Sequence, residues 1–422
     1  MARQQISSPT APRPLSPDPS GKIEEVVLKS ATNFPLLYRK RIDSVSPQAK
    51  AGDWVAVYGP QQELLGYGLY NPRSEIRVRM VRFGQGLPDD AFWEERLALA
   101  VALRRDLLRL DEVTDSYRVI HAEADGFPGL VVDRLGDVLS AEVFSLGMYQ
   151  RAEALLAKLA AQLGTRHTLI RGNPAFLSQE GYDPPQISSP ELPKQITIRE
   201  FGTRFRVRFE GSHKTGFFCD QRDNRRQVAS FCAGKSVLDM CCYTGGFAIQ
   251  AKKLGNAEEV IGVDLDEEPL EVARENANLN QVRVKFVQAD AFSYMRDMLR
   301  AGKRYDVVVL DPPKIVRSRE ERETGTRKLY DLNRLAAQLV RSGGMLFTCC
   351  CAGLVSGEEF ARLATSAVRQ PMPPGVVSET AGDASTIRTV QTIDVSGASG
   401  DHPVSPLVPE TEYLHGLWFR VV

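Results

Sequence analysis

What this sequence lacks narrows it early. Neither charge is in excess, since 53 lysines and arginines balance 53 aspartates and glutamates over 422 residues. No global field draws such a chain to nucleic acid, so any such binding must use a local basic patch. There is no run of about 18 apolar residues to span a bilayer, and the N-terminus carries no apolar signal-peptide core. The seven cysteines, at 219, 232, 241, 242, 349, 350 and 351, include no C-x-x-C pair suited to zinc. They cannot all pair internally, so free thiols in a reducing cytoplasm, with no metal site, are expected.

One further absence is informative. The stretch Val237-Leu238-Asp239-Met240-Cys241-Cys242-Tyr243-Thr244-Gly245-Gly246-Phe247-Ala248 reads as an apolar strand that breaks at a glycine pair and then opens a helix. Glycines at such a junction let backbone pass close to a ligand. Tyr243-Thr244-Gly245-Gly246 is not G-x-G-x-x-G, so it offers no pyrophosphate cradle. Nineteen residues past Gly245 a second apolar run ends at Asp264, the spacing at which a doubly wound sheet presents a carboxylate to a ribose. An adenosine cofactor without phosphates follows, and S-adenosylmethionine fits that description.

The length suits two or three domains, each able to bury a core. Residues 1–21, with five prolines and few large apolar residues, read as a disordered tail. Short β-like runs at 26–28, 54–58, 64–70 and 76–81, separated by turn residues, predict a small β-barrel over residues 22–88. Arg77 and Arg79 share one face of the last run by period two, as a solvated barrel face or as RNA phosphate contacts. Leu99, Leu103, Leu107 and Leu110 predict a helix over 89–110, and the strands and helix that follow make a central α+β domain of residues 89–195. Its end, 173–195, holds five prolines and reads as a linker. Residues 196–422 repeat the βα alternation of a parallel sheet, with strands at 236–240, 260–264, 283–287, 306–311 and 344–349, and finish in antiparallel strands.

Asp311-Pro312-Pro313-Lys314 closes the apolar run Val307-Val308-Val309-Leu310, at the strand edge where open α/β sheets bind substrates. Amino-group methyltransferases usually end the matching tetrapeptide in an aromatic residue that stacks on the base. Lys314 cannot stack in that manner, which argues against an exocyclic amine as target. Another strand runs through Cys349, Cys350 and Cys351 toward the same edge. In extended geometry Cys349 and Cys351 face one way and Cys350 the other, and only a thiol at the strand's end reaches the cleft. Small buried residues are the alternative reading of all three. A nucleophilic cysteine also needs help to ionise, and Ser356-Gly357-Glu358-Glu359 has the spacing of a capping box that would start a helix just beyond.

Taken together, several motifs are specific. His213 to Arg222, Tyr243-Thr244-Gly245-Gly246-Phe247, Asp311-Pro312-Pro313-Lys314, Cys351-Ala352-Gly353, Asp401-His402-Pro403-Val404 and, midway, Glu123 to Leu130 give the chain its resemblance from about residue 24 onward. It resembles the bacterial ribosomal RNA large-subunit methyltransferase I family, cytosine-C5 methyltransferases of 23S ribosomal RNA. The resemblance implies a multidomain α/β protein: an N-terminal PUA-like barrel, a central α+β domain and a Rossmann-like class I methyltransferase domain. It implies Cys351 as the nucleophile that adds to cytosine C6, with Asp311 at the N3 edge. His402, Lys314 and water are candidate acceptors of the C5 proton. For the cofactor, Asp264 takes the ribose, Tyr243, Thr244, Gly245 and Gly246 pass under the methionine, Asp290 meets the adenine amine, and Asp311 and Pro312 lie alongside. Lys214, Thr215, Gly216, Phe217, Phe218, Asp220 and Gln221 form a lip by resemblance, though 220–226 also reads as a helix start with solvated charges. Arg222, Arg225, Arg226, Lys314, Arg317 and Arg319 border this edge as candidate phosphate contacts. A homodimer is a further expectation. Methylation of another base atom or of DNA, and a non-catalytic RNA-binding module, are the competing readings.

Overall fold

A computed structural model describes residues 10–210, 215–316, 318–351, 353–370 and 388–422. The chain forms two units, and each is interrupted in sequence. The first runs to Ile198 and also takes Val207–Cys219 and Gly400–Thr411. The second consists of Arg199–Arg206, Asp220–Ser399 and Glu412–Val422.

The first unit opens with β1 (Glu24–Leu28), β2 (Leu36–Tyr38), β3 (Ile42–Val45), β4 (Trp54–Tyr58), β5 (Leu64–Tyr70) and β6 (Ile76–Phe83). They pair in the order β2-β6-β5-β4-β1-β3. The sequence predicts four of these strands, while β2 and β3 are too short for periodicity to reveal. Strand β5 needs Gly66 because a Cβ there would lie 2.1 Å from the Arg82 carbonyl of β6. Helix α1 (Asp90–Ala102) is capped by Asp89, whose carboxylate accepts the Phe92 N–H at 2.9 Å.

Beyond α1, a π-helical turn covers Leu103–Leu107, so the helix ends earlier than expected. Its buried residues are Phe92, Trp93, Leu97 and Ala100. The leucine stripe is not the core face: Leu99 and Leu107 are 63% and 74% exposed. Indole and phenyl rings fill the interior in place of those leucines, and only Leu110 of the stripe is buried. Then come β7 (Ser116–His121), β8 (Leu130–Leu135), β9 (Val138–Val143), α2 (Leu146–Leu163), β10 (His167–Gly172), α3 (Phe176–Glu180) and β11 (Ile187–Ser188). These strands form a sheet in the order β11-β10-β9-β8-β7, with α2 as the crossover between parallel β9 and β10.

Two expected boundaries dissolve in this unit. Trp54, Tyr67 and Val81 of the six-stranded sheet share one core with Trp93, Tyr117 and Leu155, so the two sheets pack as one body across residue 88. Residues 173–195 are no simple linker, because Phe176 is buried and Glu180 accepts hydrogen bonds from Asn71 and from the Leu146 N–H. The tail reading also fails over its described part. Leu15 joins the core, and Arg13 pairs with Asp53 while its N–H donates to the Gln150 carbonyl. Residues 1–9 lie outside the described residues.

A hairpin, β12 (Gln195–Glu200) and β13 (Thr203–Arg208), leads into the second unit. There follow α4 (Arg222–Ser230), β14 (Ser236–Met240), α5 (Gly246–Lys253), β15 (Glu259–Asp264), α6 (Glu267–Leu279), β16 (Lys285–Gln288) and α7 (Ala291–Arg300). The chain continues through β17 (Tyr305–Leu310), α8 (Arg322–Leu339), β18 (Val340–Cys351), α9 (Gly357–Arg369), β19 (Val390–Ser396) and β20 (Leu414–Val421). The sheet order is β16-β15-β14-β17-β18-β20-β19. The first five strands are parallel, and β20 and β19 close the edge antiparallel. Apolar runs such as Val307–Leu310 fit strands covered by helices on both faces, and one core lies on each side. From β14 the chain winds out to β16, then returns to β17 on the other side. The carboxyl ends of β14 and β17 at such a reversal are where open α/β sheets bind their ligands.

The expected last domain, 196–422, therefore gives up three segments, 196–198, 207–219 and 400–411. Thr215 donates to Asp133 of β8, and its carbonyl accepts from Ser140 at 2.7 Å. Arg104 donates to the Asp401 carbonyl at 2.7 Å, and the Arg118 N–H to the Asp401 carboxylate at 2.8 Å. These buried polar contacts hold 215–219 and 400–411 in the first unit.

Candidate active site

The turn after β14 is held in a tight left-handed path, with φ of 61° at Cys241, 49° at Tyr243 and 82° at Gly245. A Cβ on Gly245 would meet Ile249 and Phe286 at 3.1 Å, so the position favours glycine both in conformation and in space. Three side chains hold the turn. Asp264 accepts the Tyr243 N–H at 2.7 Å, Asn276 of α6 donates to the Thr244 carbonyl at 3.1 Å, and Asp239 accepts the Ala248 N–H of α5 at 2.9 Å. Asn276 and Asp239 are fully buried and were not singled out from sequence. Asp239 sat inside the motif as an apparent interior strand residue, and Asn276 carried no local signal.

Asp264 ends β15 half-exposed, its second oxygen accepting the Asp266 N–H at 3.2 Å. Asp311 follows β17 half-exposed, and Pro312 beside it is buried. Asp290 is exposed and caps α7 through the Ser293 N–H at 3.0 Å. Strand β18 brings the thiols to the same edge: Leu310 stands opposite Thr348, so Asp311 runs alongside Cys349. The alternation holds, with Cys349 and Cys351 against one core and Cys350 in the other. Cys349 and Cys350 are buried, whereas Cys351 is half-exposed. Burial pushes the Cys349 thiol well up, the Asp311 charge adds to that, and Gln221 donates to its sulfur at 3.4 Å. Cys349 is thereby kept as a neutral thiol. Ser356 caps α9 by accepting the Glu359 N–H at 3.2 Å, as the capping-box spacing requires.

The expected lip divides between the units. Asp220 and Gln221 belong to the second, where Tyr413 donates to the Asp220 carboxylate at 2.6 Å. Thr215, Gly216, Phe217 and Phe218 belong to the first, with Thr215 and Phe217 buried there. Lys214 and Arg317 lie outside the described residues.

Several cations are not where a phosphate contact needs them. Arg79 is buried and ion-paired to Glu123 at 3.2 Å, leaving Arg77 half-exposed on that strand. Arg222 is buried beside Asp223, and Arg225 is buried in a pair with Glu200 at 2.6 Å. Exposed cations of the expected patch are Arg226, which sits over the Phe201 ring, Lys314 and Arg319. His402 is also redirected, since it is buried in the first unit with its ring 5.2 Å from that of His121. A buried imidazole enclosed in that way is no candidate for the C5 proton acceptor. Among the described residues no cluster of His, Cys, Asp and Glu is arranged to hold a metal, and no helix is long and apolar enough to cross a membrane.

Comparison with known proteins bears on this arrangement directly. A model of S-adenosylmethionine-dependent methyltransferases matches residues 129–371, and a model of PUA-like domains matches residues 29–83. Ribosomal RNA large subunit methyltransferase I of Photobacterium profundum is 35% identical over 90% of this chain and 94% of its own length. The protein of that name from Shewanella denitrificans is 36% identical over 92% and 95%. Among solved structures, a SAM-dependent methyltransferase fold from Streptococcus mutans superposes with a TM-score of 0.73 at 17% identity, covering 94% of this chain and all of that one. Another, crystallised with SAH, has a TM-score of 0.76 at 18% identity and the same coverage. With a PUA-like domain ahead of a parallel sheet whose reversal carries Gly245, Asp264 and Asp311, the chain belongs to the ribosomal RNA large subunit methyltransferase I family of S-adenosylmethionine-dependent methyltransferases.

Proposed function

We infer that the protein methylates C5 of a cytosine in 23S ribosomal RNA of the large subunit. The relatives' names point to ribosomal RNA, and the observation that carries the finer reading is the exposure pattern of three adjacent thiols. Only Cys351, the last residue of β18, is open to solvent at the edge where Asp311 stands, while Cys349 and Cys350 are shut in.

The residues at the reversal suit S-adenosylmethionine. Asp264, half-exposed and fixed by two backbone N–H groups, offers an acceptor to ribose hydroxyls. The Tyr243–Gly246 turn brings backbone close without the stacked N–H groups that phosphates want. Asp290 and Pro312 border the adenosine side in this reading. Asp220 and Gln221 are the second unit's share of the lip. When bound, the cofactor supplies an electrophilic methyl on a sulfonium sulfur.

C5 of cytosine is a weak nucleophile, and the protein's part is to enrich it. The Cys351 thiolate forms a C–S bond at C6, and the displaced π electrons make C5 reactive. Asp311 holds the N3 edge and stabilises the charge that gathers there. After methylation a base takes the C5 proton, the C–S bond breaks, and the thiolate leaves. Lys314 and water are the candidate bases. Arg77, Lys314 and Arg317 belong to the RNA-contacting set. The setting is the cytoplasm, and a homodimer, checked by sedimentation, completes the reading.

Turnover on ribosomal RNA tests it. Cys351→Ala should abolish methylation of the cytidine while S-adenosylmethionine still binds, and Cys350→Ala should stay active. Full activity in Cys351→Ala would move the methyl to another atom. Unchanged cytidines in ribosomal RNA from cells lacking the gene would remove the substrate assignment.

A further inference from the structure

Asp239 is the least explained charged residue at this site. It lies on β14 between Gly262 of β15 and Val309 of β17, with no exposed surface. One carboxyl oxygen accepts the Ala248 N–H, and the other has no hydrogen-bond partner among the described residues. Burying an ionised carboxylate with half its acceptor capacity unused is costly. An interior strand position filled by an apolar residue would avoid that cost altogether.

Its surroundings deepen the cost. Asp264 ends β15 and Asp311 follows β17, and both repel a charge on Asp239. Cys241, half-exposed, and Cys242, buried, are thiols on the turn that bring no compensating positive charge. From α5 the Ala248 N–H favours the charged form, and from α4 so does Arg225, but Arg225 is committed to Glu200 through two hydrogen bonds of 2.8 and 2.6 Å. Burial dominates, and the carboxyl is pushed well above its ordinary range, with the Asp311 and Asp264 charges adding to the shift.

We propose that Asp239 carries a proton in the ligand-free protein and releases it when a cation occupies the carboxyl ends of β14, β15 and β17, so that binding S-adenosylmethionine, and not its neutral thioether product, is coupled to proton release. Substrate and product share their amino, carboxylate, ribose and adenine groups and differ in the sulfonium charge. A sulfonium charge brought to these strand ends would favour the ionised form of the carboxyl that is protonated. By linkage, the ligand that releases a proton binds more tightly as pH rises, by up to about tenfold per pH unit for one proton. The product lacks that gain, so Asp239 acts as a positioning residue that favours exchange of product for fresh cofactor near neutral pH.

The proposal rests on S-adenosylmethionine binding at this reversal. Titration calorimetry of the full chain with S-adenosylmethionine and with S-adenosylhomocysteine, in buffers of different ionisation enthalpy between pH 6 and 8, reads the protons exchanged. Proton release is expected with the sulfonium ligand alone, together with a dissociation constant that falls as pH rises. Asp239→Asn, which keeps shape and the Ala248 contact, should bind both ligands with no proton release and a flat pH dependence. Equal proton counts for the two wild-type ligands would overturn the proposal without any variant. So would wild-type proton release in a folded Asp239→Asn. Absence of any binding heat with either ligand would instead strike the cofactor reading itself.

Discussion

Arg225→Ala separates two readings of one residue. Met240-Cys241-Cys242 and the turn beyond invite every nearby arginine to be counted as a phosphate contact, yet Arg225 is buried with its guanidinium forked onto Glu200, itself fully buried. Gln250 donates to the same carboxylate at 2.6 Å, and the arginine stem lies where a Cβ on Gly246 would meet it at 3.0 Å. Deleting the cation strands a buried carboxylate, which typically costs about 3–5 kcal/mol. With a urea m-value of about 2–3 kcal/mol/M for a unit of this size, the midpoint of the second unit should fall by about 1–2.5 M. Hydrogen exchange at β14 amides, read beside the urea transition, should lose the same free energy. A phosphate contact predicts the opposite pattern, with stability changed by no more than about 0.5 kcal/mol and the salt dependence of RNA binding reduced by about one unit of slope. That second result would refute the structural reading.

Gly245→Ala forces a side chain into the left-handed region against Ile249 and Phe286. It should cost about 1–2 kcal/mol and weaken S-adenosylmethionine binding; unchanged calorimetric affinity would remove the turn from the cofactor site. His121 gives a pH test on the first unit. Burial, then the Arg118 cation, hold its imidazole at about 2 against an ordinary 6.5. The unfolded chain therefore binds the extra proton below pH 6.5, and the unit loses up to about 1.4 kcal/mol per pH unit as pH falls through that range. His121→Gln should flatten the change in urea midpoint between pH 7.5 and 5.5, and an equally steep fall in the variant would assign it elsewhere.

The parallel sheet was readable because its signals are local. Apolar runs ending at Met240, Asp264 and Leu310, helices of 3.6 periodicity between them and a capping box at Ser356 each depend on residues a few positions apart. The alternation of Cys349, Cys350 and Cys351 is likewise a property of any extended strand. The misreadings share another cause. Leu99 and Leu107 have helical spacing but face solvent, because Trp93 and Phe92 fill the space they would have occupied. Arg79 and Arg225 look like surface cations until Glu123 and Glu200 meet them from elsewhere in the chain, while Arg222 is buried by packing beside its own neighbour Asp223.

By itself, then, the sequence determined the βα alternation of the parallel sheet, the glycine-bearing turn without a phosphate cradle, and the carboxylates at strand ends, since short-range sterics and periodicity decide these. Tertiary structure alone decided which charges are buried, that Asp401 and His402 return to the first unit, and that Asp239 has an oxygen with no partner among the described residues. Those outcomes depend on groups far apart in the chain, and the cost of an unpaired polar atom is set only once packing has removed water from around it.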